Sequence, residues 1–238
     1  MSNNEGRARR LLVIFNPTAG NRAQRRLAVW LGCLEQLGAA VSLCETNAPR
    51  HAEALARDAD PALVDAVVAA GGDGTINEVV NGLAGSPLPL GILPLGTANV
   101  LAGEIGLPSR AMDVARVLAF APARPVWPGE AWAAGAAAGR RFLIMAGIGF
   151  DADVVESLDL PLKRRLGKLA YIASILGRLR DYRRCTYRAE LDGVAVEGAS
   201  LIAAKAHFYG GRFVLASAAR LDDPAFQVVL FGRGGRGA

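Results

Sequence analysis

Histidine and cysteine are scarce in this 238-residue sequence, and their scarcity argues against several kinds of site. With His51 and His207 as the only histidines, neither a histidine-based metal centre nor a Ser-His-Asp triad is well supported. The three cysteines, Cys33, Cys44 and Cys185, form no CxxC motif and lack the spacing of metal ligands. We therefore expect all three to be ordinary core or half-buried residues.

Long apolar runs are also absent. The longest apolar stretches, such as 62–70 and 131–138, fall far short of the ~20 residues that span a bilayer. The first ten residues are polar and basic, and the apolar run at 11–15 is too short for a signal peptide. The expectation is a cytoplasmic protein.

Lysine is nearly absent, since Lys163, Lys168 and Lys205 are the only three. None lies in the first half of the chain, which leaves no lysine for a Walker-type phosphate loop. Arginine supplies most of the net charge of +5, and this mild basic excess suits anionic partners. Because no RNA- or DNA-binding motif or aromatic stacking platform occurs, we expect no nucleic-acid partner.

The first half of the chain alternates strand-like and helix-like segments, which predicts an α/β fold with a parallel sheet and helices on both faces. Strands are predicted at 10–15, 41–44, 64–70 and 90–93, and helices at 22–37, 50–57, 75–83, 98–105 and 112–120.

The pattern changes at the proline-rich segment 121–128. Short apolar strands then dominate, at 132–136, 141–146, 186–191, 194–203 and 226–231, with one helical stretch at 162–182. Asp192-Gly193 is typical of a tight hairpin turn. We predict an α/β nucleotide-binding domain over 1–122, a β-rich, mostly antiparallel domain over 123–231 and a disordered tail over 232–238.

The strongest chemical signal is GGDGTINE at 71–78, between a buried strand and a helix. Its glycines permit a sharp turn, and the helix N-terminus offers backbone amides to an anion. Asp73 would repel phosphate unless a cation lies between them, so it is a candidate Mg²⁺ partner and catalytic residue. Thr75 and Glu78 also fit a capping box that would only start the helix. The turn is neither a Walker A loop nor a G-x-G-x-x-G dinucleotide loop.

GGDGTINEVVNG resembles the signature of the diacylglycerol kinase catalytic-domain family, which contains bacterial lipid kinases and is related to sphingosine kinases. NAD kinases carry a similar loop, but the continuation NEVVNG at 77–82 favours the lipid kinases. Other segments agree with the family in order along the chain: NPTAG at 16–20, Thr46, PLGTAN at 94–99, FLIMAGIGFD at 142–151, KLAY at 168–171 and LDD at 221–223.

The resemblance implies that ATP and Mg²⁺ are the cofactors and a lipid alcohol is the substrate. It implies an ATP site lined by Asn16, Thr46, Gly71, Gly72, Asp73, Gly74, Thr75, Asn77 and Thr97. It further implies a structural Mg²⁺ bound by Asp223 and by main-chain oxygens of Arg220 and Ala225. Pro224 replaces the glycine usual in that turn, so a plain solvated Asp-Asp turn is an equal alternative.

The segment 163–184 is rich in lysine and arginine, with apolar residues between two groups of charges. Such a segment can contact an anionic membrane surface peripherally, at the inner face of the membrane where a lipid substrate resides. A solvated helix face is the competing interpretation.

The resemblance places the general base in a D-G-E motif beyond the LDD turn, and no such motif occurs in these residues. The chain is therefore expected to be C-terminally truncated relative to the family. The favoured hypothesis is an ATP-dependent lipid kinase. The alternative is an inactive nucleotide-binding remnant, and an NAD kinase-like enzyme is weaker.

Overall fold

A computed structural model describes residues 7–20, 22–149 and 186–232. Within these residues the chain forms two compact units. The first unit runs to Leu143 and also includes Phe208–Phe213, and the second contains the other described residues from Ile144 onward.

A four-stranded parallel sheet forms the centre of the first unit. Its strands are β1 (Arg10–Phe15), β2 (Ala40–Glu45), β3 (Ala66–Gly71) and β4 (Leu90–Pro94), in the order β2-β1-β3-β4. Every neighbouring pair in this sheet is parallel, which confirms the predicted α/β fold.

Helices connect and flank these strands. They are α1 (Ala23–Gln36), α2 (His51–Arg57), α3 (Asp73–Gly82), α4 (Val100–Glu104) and α5 (Ala111–Phe120). Helices α1 and α5 pack against each other, and so do α2 and α3.

The core of the first unit follows from the period of two along a strand, which sends successive side chains to opposite faces. One buried cluster joins alternate sheet residues to α1 and α5: Leu11, Val13, Phe15, Leu27, Trp30, Leu34, Val114 and Leu118. Ile14 is buried on the opposite face, and β3 is buried along its whole length. Covering both faces explains why β3 is a continuous run of small apolar residues.

A short hairpin extends the first unit beyond residue 122. Strand β5 (Gly129–Ala131) pairs antiparallel with β6 (Arg140–Phe142). The Arg141 amide donates to Asn81 Oδ1 over 2.9 Å, and Asn81 Nδ2 donates to the Arg141 carbonyl over 3.0 Å. These two hydrogen bonds attach β6 to α3, so the hairpin belongs with the parallel sheet.

The second unit is β-rich and antiparallel, as predicted. Its strands are β7 (Met145–Gly149), β8 (Tyr187–Leu191), β9 (Val194–Gly198), β10 (Ser200–Ala204) and β13 (Gln227–Phe231). Two further short strands, β11 (Phe208–Tyr209) and β12 (Phe213–Val214), pair with each other and lie between β10 and β13 along the chain. Strands β13, β10 and β7 form one antiparallel sheet in that order. The predicted hairpin is confirmed: β8 and β9 pair through Asp192 and Gly193, whose φ angles are 49° and 83°.

Three predicted strands were wrong. Residues 132–136 form no strand, because a turn with Gly135 at φ 77° interrupts them. The runs 141–146 and 194–203 are each divided between two strands. Apolar periodicity does not reveal such breaks within a run. The predicted helix at 162–182 and residues 233–238 of the tail predicted at 232–238 lie outside the described residues.

Among the described residues, no helix is long and apolar enough to cross a membrane.

Glu53 of α2 is a buried carboxylate that arginines neutralise. Arg57 and Arg140 approach it at 2.7 Å and Arg50 at 3.5 Å. Burial alone would raise the pKa of Glu53, but the hydrogen bond from Arg140 and the charges of Arg140 and Arg50 outweigh burial and lower the pKa. Glu53 thus connects α2 to β6, on which Arg140 lies.

We expect Glu53→Gln to cost about 1–2 kcal/mol of unfolding free energy at neutral pH, because the variant loses charge-assisted hydrogen bonds. A lowered folded-state pKa stabilises the protein above the ordinary value of 4.5, and this contribution disappears as pH falls through the lowered pKa. Urea unfolding from neutral to strongly acidic pH should show the gap between wild type and variant closing in acid. Glu35→Gln, at an exposed position of α1, is the control. A gap independent of pH would contradict the assignment.

Candidate functional site

The loops after β1 and β3 meet at the point in the sheet where the strand order reverses. In the order β2-β1-β3-β4, the connection from β1 leads to one side and the connection from β3 to the other. Ligands of open α/β sheets bind in the crevice outside the strand ends at such a switch point. The loops beginning at Asn16 and Gly72 therefore line the favoured position for a ligand.

Asn16 joins the first of these loops to the glycine turn. Its amide donates to the Ala70 carbonyl over 3.0 Å, and its Nδ2 donates to Thr75 Oγ1 over 3.0 Å. A Cβ at Gly71 would lie 2.5 Å from the Cβ of Thr75, so Thr75 can pack here only against glycine. The structure thus brings together Asn16, Gly71 and Thr75 of the predicted site.

The first turn of α3 presents backbone amides without intrahelical partners. The helix begins at Asp73, no side chain caps it, and its first bond runs from the Ile76 amide to the Gly72 carbonyl over 3.1 Å. The amides of Asp73, Gly74 and Thr75 precede that bond. Together with the positive end of the helix dipole, they can bind an anion such as phosphate.

The loop after β4 packs onto the same turn. The Leu95 amide donates to the Gly71 carbonyl over 2.9 Å, and a Cβ at Gly96 would lie 2.5 Å from the Cα of Gly72. Arg26 of α1 donates to the Pro94 carbonyl over 2.8 Å. Its guanidinium therefore supports this loop, as well as lying over the Trp30 ring.

Asp73 connects the glycine turn to α4. Its two carboxylate oxygens accept hydrogen bonds from the amides of Val100 and Leu101, over 3.1 and 3.2 Å. A negative charge at a helix N-terminus is stabilising. Because a carboxylate accepts about four hydrogen bonds, it retains lone pairs for a cation or its water ligands. The carboxylate oxygens of Asp73 are ligands of the kind that Mg²⁺ prefers. Asp73 also holds the start of α4, a structural role that the sequence did not indicate.

The predicted capping box at Thr75 and Glu78 was wrong. Thr75 lies inside the first turn and accepts from Asn16, and α3 starts two residues earlier. Glu78 Oε2 instead accepts from the Ala52 amide over 3.2 Å, at the start of α2. The box has the right spacing, but the carboxylate is used by a neighbouring helix.

Thr46, Asn77 and Thr97 lie around this centre rather than in it. Thr46 extends the β1–β2 pairing, since its amide donates to the Phe15 carbonyl over 2.8 Å. Asn77 lies one turn along α3, and Thr97 is exposed in the loop after β4. Among the described residues, none of the three side chains hydrogen-bonds to another predicted site residue. Their part in the site stays a prediction.

Asn99 is a site residue that the sequence interpretation missed. It adopts the left-handed conformation at φ 47°, and its Nδ2 donates to the Gly96 carbonyl over 2.8 Å. Its Oδ1 is buried without a hydrogen-bond partner among the described residues. Asparagine tolerates left-handed backbone better than most residues, and its place at the end of PLGTAN was the available signal.

The predicted metal turn surrounds a lysine. Lys205 Nζ donates to the carbonyls of Asp223 and Ala225, the latter over 2.9 Å. The Asp223 carboxylate accepts from the Ala225 amide over 2.8 Å, and Asp222 pairs with Arg220 at 2.9 Å. The residues present therefore do not fit a divalent cation at this turn. Nor does any described cluster of three or more His, Cys, Asp and Glu residues offer a metal site.

The parallel sheet, the loops gathered at its switch point and the antiparallel second unit define an α/β domain with a glycine turn at an uncapped helix start, followed by a β-rich domain. Residues 10–131 match the Diacylglycerol kinase catalytic domain, and residues 145–237 match the YegS C-terminal NAD kinase beta sandwich-like domain. The chain belongs to the diacylglycerol kinase catalytic domain family, as the sequence motifs had indicated.

Individual relatives agree with this assignment. The chain is 33% identical over 230 residues to a protein named diacylglycerol kinase from Bacillus subtilis, covering 93% of this chain and 73% of that protein. It is 38% identical over 184 residues to a Chromohalobacter salexigens protein named "Probable lipid kinase YegS-like", covering 74% of this chain and 57% of the relative. A crystal structure titled as a Bacillus anthracis diacylglycerol kinase has the same fold, with a TM-score of 0.68, 23% identity and coverage of 95% and 74%.

Proposed function

We propose that this chain is an ATP-dependent lipid kinase that transfers the γ-phosphate of Mg-ATP to the hydroxyl of diacylglycerol or a similar lipid alcohol. Family membership and the lipid-kinase names of the relatives support a kinase of this class. The observation that carries the proposal is the junction of three loops, at residues 16–20, 71–75 and 94–99, around the uncapped start of α3.

In this proposal each part of the junction has a role in phosphoryl transfer, which demands positioning and charge neutralisation. The amides of Asp73, Gly74 and Thr75 hold phosphate oxygens. Asn16 fixes Thr75, and the Asp73 carboxylate faces the cation that accompanies ATP. Mg²⁺ supplies the neutralisation that a phosphate-loop lysine supplies elsewhere, since the first unit has no lysine.

Calorimetry and a lipid assay test the proposal. The folded chain should bind Mg-ATP far more tightly than Mg-AMP, because the amides at the start of α3 are proposed to bind the terminal phosphates. With Mg-ATP it should phosphorylate at least one of diacylglycerol, a sphingosine-like base and phosphatidylglycerol, and should leave NAD unphosphorylated. Folded protein that does not bind Mg-ATP would refute the proposal, and phosphorylation of NAD alone would favour the NAD kinase-like alternative.

A second candidate is nucleotide binding without phosphoryl transfer. Tight Mg-ATP binding without phosphorylation of any lipid in the panel would support it. A chimera that adds the C-terminal segment of a homologue is the matched comparison.

Contact with an anionic membrane surface is a further part of the proposal. It depends on the basic segment at 163–184, which lies outside the described residues. Vesicle binding that requires anionic lipid and weakens with salt would support it.

A further inference from the structure

We infer that the ammonium group of Lys205 is the resident cation of the second unit. It takes the place that the family resemblance assigns to a structural magnesium ion, so this unit folds without a divalent metal.

The backbone around Lys205 is held by hydrogen bonds and strand pairing to the segments on either side of β10. Lys205 directly follows β10, the central strand of the sheet β13-β10-β7. Its amide donates to the Ile144 carbonyl over 2.8 Å, just before β7 begins. Its neighbour Ala204 pairs with Gln227, the first residue of β13. The side chain therefore starts from a rigid position at the end of this sheet.

The side chain ends among acceptors that would suit a metal. Lys205 is completely buried, and fully buried lysines are rare unless they are paired. Its Nζ donates to the carbonyls of Asp223 and Ala225 and lies 5.4 Å from the centre of the Phe226 ring. The Ala225 carbonyl is one of the oxygens predicted to bind Mg²⁺. Asp222 and Asp223 lie nearby with the opposite charge.

An ammonium and a divalent ion cannot share these oxygens. Both would lie within hydrogen-bonding distance of the same carbonyls, and their positive charges would repel strongly in a buried position. Within the same turn, Asp223 Oδ1 accepts from the Ala225 amide over 2.8 Å. Lys205 takes over the structural role of the ion, because its hydrogen bonds hold the turn before β13 against the end of β10.

The first test needs no variant. Without nucleotide, the apparent Tm of the 238-residue chain should be the same in EDTA, in Mg²⁺ and in Ca²⁺. Amide hydrogen exchange of β13 should be equally unaffected, which confines the measurement to the second unit. A Tm that falls in EDTA together with faster exchange in β13 would overturn the inference.

The second test removes the ammonium. Lys205→Met keeps the length of the side chain but loses the charge and the donors, leaving the carbonyls of Asp223 and Ala225 without their ammonium partner. We expect its Tm to fall by about 6 °C or more, with faster exchange in β13. Arg220→Ala removes a cation from the same turn, where Arg220 is 61% and Asp222 60% exposed, and should lower Tm by no more than about 3 °C. A Lys205→Met variant as stable as Arg220→Ala would overturn the inference. If Lys205→Met does not fold, the metal comparison on the wild type decides alone.

Discussion

Replacing Asp73 with alanine is expected to weaken Mg-ATP binding about 10- to 100-fold and to lower the free energy of unfolding by about 1–3 kcal/mol. The stability loss has a direct structural cause. The carboxylate accepts from the Val100 and Leu101 amides over 3.1 and 3.2 Å, and alanine leaves the start of α4 without its cap. The loss of affinity follows from the proposed role of the carboxylate beside the cation of Mg-ATP.

Asp73→Asn separates the two roles. Asparagine retains one acceptor for the α4 amides but carries no charge, so it should recover part of the stability while binding Mg-ATP as weakly as the alanine variant. Calorimetry with Mg-ATP and urea unfolding of both variants measure the two effects independently. If Asp73→Asn bound Mg-ATP like the wild type, Asp73 would act only by holding α4. Unchanged affinity in Asp73→Ala would remove Asp73 from the site altogether.

Gly71→Ala is expected to destabilise the first unit by about 1–3 kcal/mol and to weaken Mg-ATP binding at least about tenfold. The added Cβ would lie 2.5 Å from the Cβ of Thr75, and the contact with Thr75 Oγ1 would be closer still. Thr75 is buried in the first turn of α3 and bonded to Asn16, so α3 must move to make room. That movement displaces the amides proposed to hold phosphate.

Gly32→Ala is the matched control for Gly71→Ala. Gly32 lies in the interior of α1, and a Cβ there would meet nothing within 4 Å. Alanine should stabilise this helix by up to about 1 kcal/mol, because glycine is the poorer helix former. Thermal unfolding should therefore move in opposite directions for the two variants. A stable Gly71→Ala variant with wild-type affinity would show that the close packing at Gly71 is not needed.

Much of the first unit was predictable because its signals are local. Strand β1 was predicted with its observed bounds, and the helix predicted at 22–37 is α1, Ala23–Gln36. The Asp192-Gly193 turn was predictable for the same reason, since it needs positive φ at two adjacent residues. The divided strands of the second half were not, because an apolar run does not show where its pairing partner changes.

The candidate site was predictable as a set of motifs but not as a set of contacts. The family resemblance assigned residues of three loops to one site, and the carboxyl ends of parallel strands, which share one edge of a sheet, bring those loops together. Which side chain caps which helix depends on atoms brought together from distant parts of the chain. Glu78 therefore caps α2 rather than its own helix, and Asp73 caps α4.

By itself, the sequence determined the order of strands and helices from β1 to α5, the glycine turn at 71–74 and the family to which the chain belongs, since each depends on residues close together along the chain. Only the tertiary structure decided that the turn at 222–225 surrounds Lys205. The ammonium and its carbonyl partners are separated by 18 and 20 residues. A carbonyl oxygen can bind either a metal ion or an ammonium, and the packing of β10 beside β13 brings these two carbonyls to the ammonium of Lys205.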